Sequence, residues 1–353
     1  MDFAGRDIGK LRYPVNRPLT AEERATRYDQ KVAGSAPPMD FLSVIKFNGS
    51  YMDLVDRWYP ITGFSVWFGF ALAFAGLLGA AVCVAAFFFA PESSEQSALW
   101  FALLVLTPLG LSLVAAGLLI VRTESWRWTH YPMRLNRKTR QVHVFRQNGS
   151  ILTVPWDELF IVRGEAKSPL AGTTYDLRAH VLDADGQTVR ESFSLGYATL
   201  LGNERSVDKF WAFLQPYMEA SDGVERTWRH LKGKDDKGGY LLPIDGRKEG
   251  WRWSIVESFQ VAAHWPWLQL LGSPVLGLGV LGRMFAMWTS RQPIWPAEIE
   301  QANQVDPDDP YTLDWRDNGP LGWWELYWPL LCTVLGTGIF FGAIGSILVK
   351  FWE

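Results

Sequence analysis

A single arginine interrupts a run that is otherwise nearly free of charge: from Trp265 to Trp288 the polar side chains are Gln269, Ser273 and Arg283. A cation in an apolar run of that length needs an anionic partner, or a side chain long enough to reach water. Glu325, at the head of another apolar run, is the candidate partner. An intramembrane Arg283–Glu325 pair and a snorkelling Arg283 are both open on spacing alone. Arg134, Arg137, Lys138 and Arg140 crowd four cations into one turn, either a contact for anionic lipid headgroups or a solvated basic tip. Asp306, Asp308 and Asp309 gather three carboxylates, but Pro307 and Pro310 alternate with them and no bidentate Glu follows where a calcium loop needs one.

The remaining candidates have plainer readings. Gly277, Gly279 and Gly282 match a dinucleotide-binding spacing, which works only between a strand and a helix N-terminus. Inside an apolar run they are small residues for close helix packing, and Gly338, Gly342 and Ser346 repeat the idea at four-residue spacing. His130, His143, His180, His230 and His264 are scattered without metal-ligand spacing, and Cys83 and Cys332 fall inside apolar runs. Asn48-Gly49-Ser50 and Asn148-Gly149-Ser150 read as turns. No Ser/His/Asp or Cys/His grouping stands out, so the expectation is a protein that is not an enzyme and holds neither cofactor nor metal. A formal charge of -3 and the lack of a basic stripe with stacking aromatics set nucleic-acid binding aside.

The elements that must position these residues are mostly membrane helices. No charge occurs from Ile61 to Ala90 or from Leu99 to Val121, and about 20 apolar residues cross a bilayer core of roughly 30 Å. Trp265 to Trp288 and Leu326 to Val349 are the third and fourth runs. No removable signal peptide precedes the first run. Nine Lys/Arg lie in residues 1–60 and twenty-one between Arg122 and His264, whereas Pro91 to Ala98 has none and Thr289 to Trp323 only Arg291 and Arg316. Basic loops stay in the cytoplasm. Four spans with both termini inside would put the acidic loops, Glu92 with Glu95 and Glu298 to Asp317, outside. Trp323, Trp324, Tyr327 and Trp328 would anchor the fourth helix at the outer interface. Ser273-Pro274 leaves a second arrangement open, in which the third run re-enters and the acidic loop stays cytoplasmic.

Between the second and third runs the pattern turns to short alternating segments. Gln141 to Arg146 and Ile151 to Pro155 flank Asn148-Gly149, and Tyr175 to Leu182 and Thr188 to Leu195 flank Asp185-Gly186, so two hairpins are expected, with Leu159 to Arg163 as a further strand. A helix follows over 204–218, with Val207, Phe210, Trp211, Leu214 and Met218 on one face. Five or six meandering strands closed by a C-terminal helix resemble a pleckstrin-homology (PH) sandwich, which has seven. Residues 221–250, rich in Lys, Asp and Gly, read as a linker.

The approach to the first span, Ile45-Lys46-Phe47-Asn48-Gly49-Ser50-Tyr51-Met52 and Val55-Asp56-Arg57-Trp58-Tyr59, resembles the segment that marks an uncharacterised family of bacterial multi-pass inner-membrane proteins. Its members occur beside type VI secretion effectors, where immunity genes sit. The resemblance implies an immunity protein against a secreted, pore-forming toxin, with Asp306, Asp308 and Asp309 as a toxin-facing loop. The alternative is a membrane scaffold or lipid sensor acting through the PH-like domain.

The expected fold class is an α+β membrane protein. Residues 1–60 form a cytoplasmic N-terminal segment, 61–122 spans one and two, and 123–220 the cytoplasmic PH-like sandwich. Residues 221–264 are a linker, 265–288 span three, 289–323 an acidic periplasmic loop, and 324–353 span four and the C-terminus. Expected partners are the lipid bilayer, a cognate toxin, and a second copy through the small-residue faces.

Overall fold

A computed structural model describes residues 13–91, 95–168, 172–199, 203–233, 239–263 and 265–352; Glu92 and His264 lie outside them. In chain order the elements are β1 (Arg17–Pro18), α1 (Ala21–Ala25), β2 (Arg27–Tyr28), β3 (Val44–Phe47), β4 (Tyr51–Leu54), α2 (Phe64–Phe89), α3 (Gln96–Phe101), a π-helical turn (Ala102–Leu106) and α4 (Thr107–Val121). Then come β5 (Met133–Asn136), β6 (Gln141–Phe145), β7 (Ile151–Pro155), β8 (Leu159–Ser168), β9 (Gly172–Leu182), β10 (Thr188–Thr199), α5 (Glu204–Glu219) and α6 (Gly223–Lys232). The chain ends with α7 (Trp251–Phe259), α8 (Pro266–Leu271), α9 (Ser273–Thr289), α10 (Ala297–Ala302) and α11 (Trp323–Trp352). These make two compact units. The sheet unit is Met1–Pro60, His130–Glu249 and Gln292–Leu321, and the helical unit is Ile61–Thr129, Gly250–Arg291 and Gly322–Glu353.

The sheet unit holds two five-stranded antiparallel sheets, one ordered β1-β10-β9-β8-β2 and the other β3-β4-β5-β6-β7. Alternation builds them. Met52, Leu54, Met133, Leu135, Val142 and Val144 point into the core, while Tyr51, Asp53, Arg134, Asn136 and His143 occupy the opposite face of the same strands. Asx turns set the hairpins: the Asn48 side chain accepts the Ser50 and Tyr51 N–H groups at 2.9 and 2.8 Å, and Asp185 accepts those of Gln187 and Thr188, both at 2.8 Å. Phe210, Leu214 and Tyr217 of α5 complete the core with Trp156 and Phe193.

Three expectations change in this unit. Residues 1–60 are not a separate segment, because β1 to β4 are strands of the two sheets. β4 pairs with β5 from Tyr51↔Asn136 to Leu54↔Met133, so the chain leaves for α2 and returns from α4 to neighbouring strands. The stretch read as linker holds α6, whose Thr227 and Leu231 are buried at helical spacing with Val224 and Trp228 against the core, and its last part forms α7 of the helical unit. A high content of Lys, Asp and Gly hid that periodicity. The third correction concerns the acidic segment: Leu313 pairs with Phe47, its N–H donating to the Phe47 carbonyl at 2.8 Å. Residues 292–321 therefore belong to the sheet unit, and a segment hydrogen-bonded to β3 cannot lie across a bilayer from it.

In the helical unit α2 and α4 form a close hairpin. A Cβ on Gly69 would stand 2.5 Å from the Gly117 carbonyl oxygen, and one on Gly76 2.5 Å from that of Gly110, so the helices meet backbone to backbone at two points seven residues apart. Among the described residues three stretches are long and apolar enough to cross a membrane: Tyr59–Phe89, Gln96–Val121 and Trp323–Ser346. The run from Trp265 to Trp288 is not among these three, since it divides at Gly272 into α8, of 6 residues, and α9, of 17. Pro274 near the head of α9 supplies the break by lacking an N–H and restricting Ser273. The chain enters this segment from Glu249 of the sheet unit and comes back to Gln292 of the same unit.

Candidate functional site

Arg134 is the centre of the polar face of the second sheet. It is 2% exposed, and its Nε and Nη2 donate to the two carboxylate oxygens of Asp53 at 2.7 and 2.8 Å. Its guanidinium lies 3.9 Å from the centroid of the Tyr51 ring and 5.0 Å from that of Trp295, with Glu300 at 3.1 Å. Asn136 bonds Asn303, and Trp295 meets the rings of His143 and Phe145 edge-on. Arg134 thus fastens residues 295–303 onto the sheet.

Its neighbours in the basic turn are also committed. Arg137 donates to the carbonyl oxygens of Tyr217 and Ala220, satisfying the orphan end of α5. Arg140 donates to Asp157 at 2.6 Å and to Glu219 at 2.6 Å. These hydrogen bonds hold the Asp157 carboxyl down at about 2. Lys138 alone of the four is exposed, so the turn does not offer a lipid surface four charges. Of the acidic residues Asp309 turns inward, accepting the Gly49 N–H at 2.6 Å and the Tyr311 N–H at 3.0 Å, whereas Asp306, which accepts the Asp308 N–H at 3.1 Å, and Asp308 are exposed. A Cβ on Gly49 would stand 2.8 Å from Asp309, so the glycine in Asn48-Gly49 admits this carboxylate.

The first sheet carries a second polar face, which spacing along the chain did not disclose. Asp176, Arg178 and His180 alternate on β9 and are all buried. Asp176 accepts from Arg57 at 2.8 Å, from Arg178 at 2.9 Å and from the Tyr13 hydroxyl. Burial alone would raise the Asp176 carboxyl, and the two guanidiniums bring it below its ordinary value. His180 Nδ1 meets Ser192 Oγ at 2.6 Å, and its Nε2 lies 3.3 Å from Glu23. The order Ser, His, Glu suggests a nucleophile, but Ser192 and His180 are both 0% exposed and form a cross-strand pair. His143 and Thr153 pair likewise at 2.9 Å. Polar alternation on β9 was the available signal; the partners lie over a hundred residues away.

In the helical unit Arg283 is 0% exposed on α9, where Gly282 lets the backbone of Gly63 approach. It does not snorkel into open solvent. Glu325 is exposed in the first turn of α11 and accepts the Gly322 N–H at 2.6 Å. Gly277 packs on Thr333 and Thr337, and Gly336 on Ser273, so α9 and α11 run antiparallel and Arg283 comes within about a turn of Glu325 along the pair. Gly338, Gly342 and Gly345 face open space, and Ser346 is exposed beside them. Among the described residues no group of three or more His, Cys, Asp or Glu could hold a metal.

A protein-family profile matches residues 111–307, more than half of the chain; it describes a family of unknown function, DUF6708. No curated protein and no solved structure matches the chain.

Proposed function

We infer that this chain, which belongs to the DUF6708 family of unknown function, is an immunity protein of the bacterial inner membrane that neutralises a type VI secreted, pore-forming toxin within the bilayer. One feature of the helical unit carries the reading. Its glycines at Gly69, Gly76, Gly110 and Gly117 are spent on internal helix contact, whereas a Cβ on Gly338, Gly342 or Gly345 of α11 would meet nothing within 4 Å among the described residues. Close approach of a second helix is what such a face permits. The resemblance of residues 45–59 to proteins encoded beside secretion effectors supports a toxin helix as the partner; a second copy of the chain competes for the same face. The scaffold or lipid-sensing alternative loses its four-charge surface to the internal bonds of Arg134, Arg137 and Arg140. Strands β4 to β7, strands β8 to β10 and α5 follow the order of a PH sandwich, with α2 to α4 inserted after its first strand. That likeness bears on fold alone.

Three spans with a re-entrant α7–α9 segment would put the sheet unit, which holds 28 of the 34 Lys/Arg, in the cytoplasm and the C-terminus in the periplasm. A cysteine at the exposed Gln301, in a chain freed of Cys83 and Cys332, is expected to resist an impermeant maleimide in intact cells while a C-terminal tag is accessible. The reverse pattern would restore the four-span arrangement. Co-expression with the adjacent toxin gene tests the function: the wild-type chain rescues growth, and Gly342→Leu loses the rescue while keeping its membrane level. Unchanged killing by the toxin in the presence of the wild-type chain rejects immunity.

A further inference from the structure

One end of the helical unit gathers three arginines. Arg122 directly follows α4, Arg127 lies five residues further on, and Arg291 stands two residues past α9. Backbone bonds bring the two segments together. The Arg291 N–H donates to the Arg127 carbonyl at 2.6 Å, the Thr129 N–H to the Arg291 carbonyl at 2.8 Å, and Ser290 Oγ to the Glu124 carbonyl at 3.1 Å. All three arginines are exposed, and none has an ion pair among the described residues. Arg127 Nε donates to the Arg122 carbonyl at 3.2 Å, which satisfies an orphan group at the end of α4. The side chains of Arg122 and Arg291 have no such duty in the fold. Glu124 is the one carboxylate of these two segments, and it is 8% exposed and turned inward, accepting the Gly63 N–H at 2.7 Å.

Beside the cations stands an aromatic wall. Trp126 is held at a φ of 60°, a left-handed backbone that is costly for a bulky side chain, and its ring is nonetheless 58% exposed. It meets Phe285 of α9 edge-on at 5.9 Å. Phe285 in turn meets Trp288 at 6.1 Å and Phe70 of α2 edge-on at 5.2 Å. Trp288 is 76% exposed, and Phe70 and Phe74 are exposed one turn apart on the same side of α2. Cations at the helix ends, indole rings beside them and bare phenyl groups further along the helix match a phospholipid from its phosphate to its acyl chains. A soluble anion would engage the cations and have no use for the wall.

We propose that Arg122, Arg127 and Arg291, with Trp126 and Trp288, form a binding site for the headgroup of an anionic phospholipid whose acyl chains lie along Phe70 and Phe74. The site needs α2 and α4 to lie in a bilayer and is independent of the immunity reading. Each cation beside an anionic headgroup is worth about fivefold in binding. The detergent-purified full chain is titrated with an equimolar mixture of dioleoylphosphatidylglycerol and dioleoylphosphatidylcholine, and native mass spectrometry counts each bound lipid by its mass. Inorganic phosphate is titrated separately and as a competitor. The anionic lipid is expected to be preferred by about tenfold or more, with no saturable phosphate adduct. Replacing Arg122, Arg127 and Arg291 together by Gln is expected to bring that preference to within about twofold. Replacing the exposed Arg24, Lys138 and Arg205 of the sheet unit by Gln removes the same charge and should leave it intact. Trp126→Gly, which relieves the left-handed backbone, should weaken binding of both lipids about threefold or more. If the triple arginine variant does not fold, Arg122→Gln with Arg291→Gln, which breaks no bond of the fold, is expected to lower the preference about fivefold. Equal binding of the two lipids to the wild-type chain, a preference that survives the arginine variants, an equal loss in the sheet-unit variant, undiminished binding by Trp126→Gly, or displacement of the lipid by phosphate would each overturn the proposal.

Discussion

Replacing Arg134 with Met tests the correction of greatest consequence, that residues 292–321 are part of the sheet unit. The substitution keeps the length of the side chain over Tyr51 and removes its charge. Asp53, 4% exposed, then stands buried without its bidentate partner, and breaking a buried pair from one side costs about 3–5 kcal/mol. Asp53→Leu is milder, about 2 kcal/mol, because Arg134 keeps Glu300 at 3.1 Å and two aromatic faces. The double variant replaces an ion pair by apolar groups and is expected within about 1 kcal/mol of wild type, a coupling of about 6 kcal/mol. At roughly 2–4 °C per kcal/mol, Arg134→Met should lower the midpoint by about 6–20 °C in a thermal melt followed by tryptophan fluorescence. Limited proteolysis supplies the second readout: Arg316 should become a cleavage site in Arg134→Met and not in the double variant. Strictly additive losses, with residues 292–321 no more susceptible than before, would refute the docking of this segment through Arg134.

Other outcomes follow from single contacts. Gly69→Val or Gly117→Val forces apart backbones already in contact and should cost about 1–3 kcal/mol, read as a lower melting midpoint in detergent, whereas Gly79→Val, whose Cβ meets nothing, should change little. His143 is pushed down to about 4 by burial and by the Arg134 charge. It stays neutral in the fold while the unfolded chain protonates near 6.5, so its contribution is intact above that pH and is lost as pH falls toward 4. The loss is about 3 kcal/mol, and His143→Gln should flatten a denaturant midpoint measured across that window. If Glu325 holds Arg283, then Glu325→Gln should lower the detergent melting midpoint far less in an Arg283→Gln background; equal losses in both backgrounds would remove the pair.

Much of this protein was legible along the chain because it rests on local periodicity. The uncharged runs around α2 and α4 could only be long buried or lipid-facing helices, the Asn-Gly and Asp-Gly turns marked two hairpins, and the spacing of Val207, Phe210, Trp211, Leu214 and Met218 specified the core face of α5. Charge counting was less secure. Arg134, Arg137 and Arg140 read as a surface, yet each guanidinium is committed to a partner inside the fold. Asp309 read as a loop carboxylate and instead caps the turn at Gly49. What only the tertiary structure decided is which distant segments share a surface. β4 and β5 are neighbours across 78 intervening residues of membrane hairpin, Leu313 pairs with Phe47, and Tyr13 reaches Asp176. Such contacts have no period, because a hydrogen bond or ion pair depends on distance in space and is indifferent to separation along the chain. For the same reason composition made Trp265 to Trp288 look like one continuous helix, while the structure divides it at Gly272 into α8 and α9.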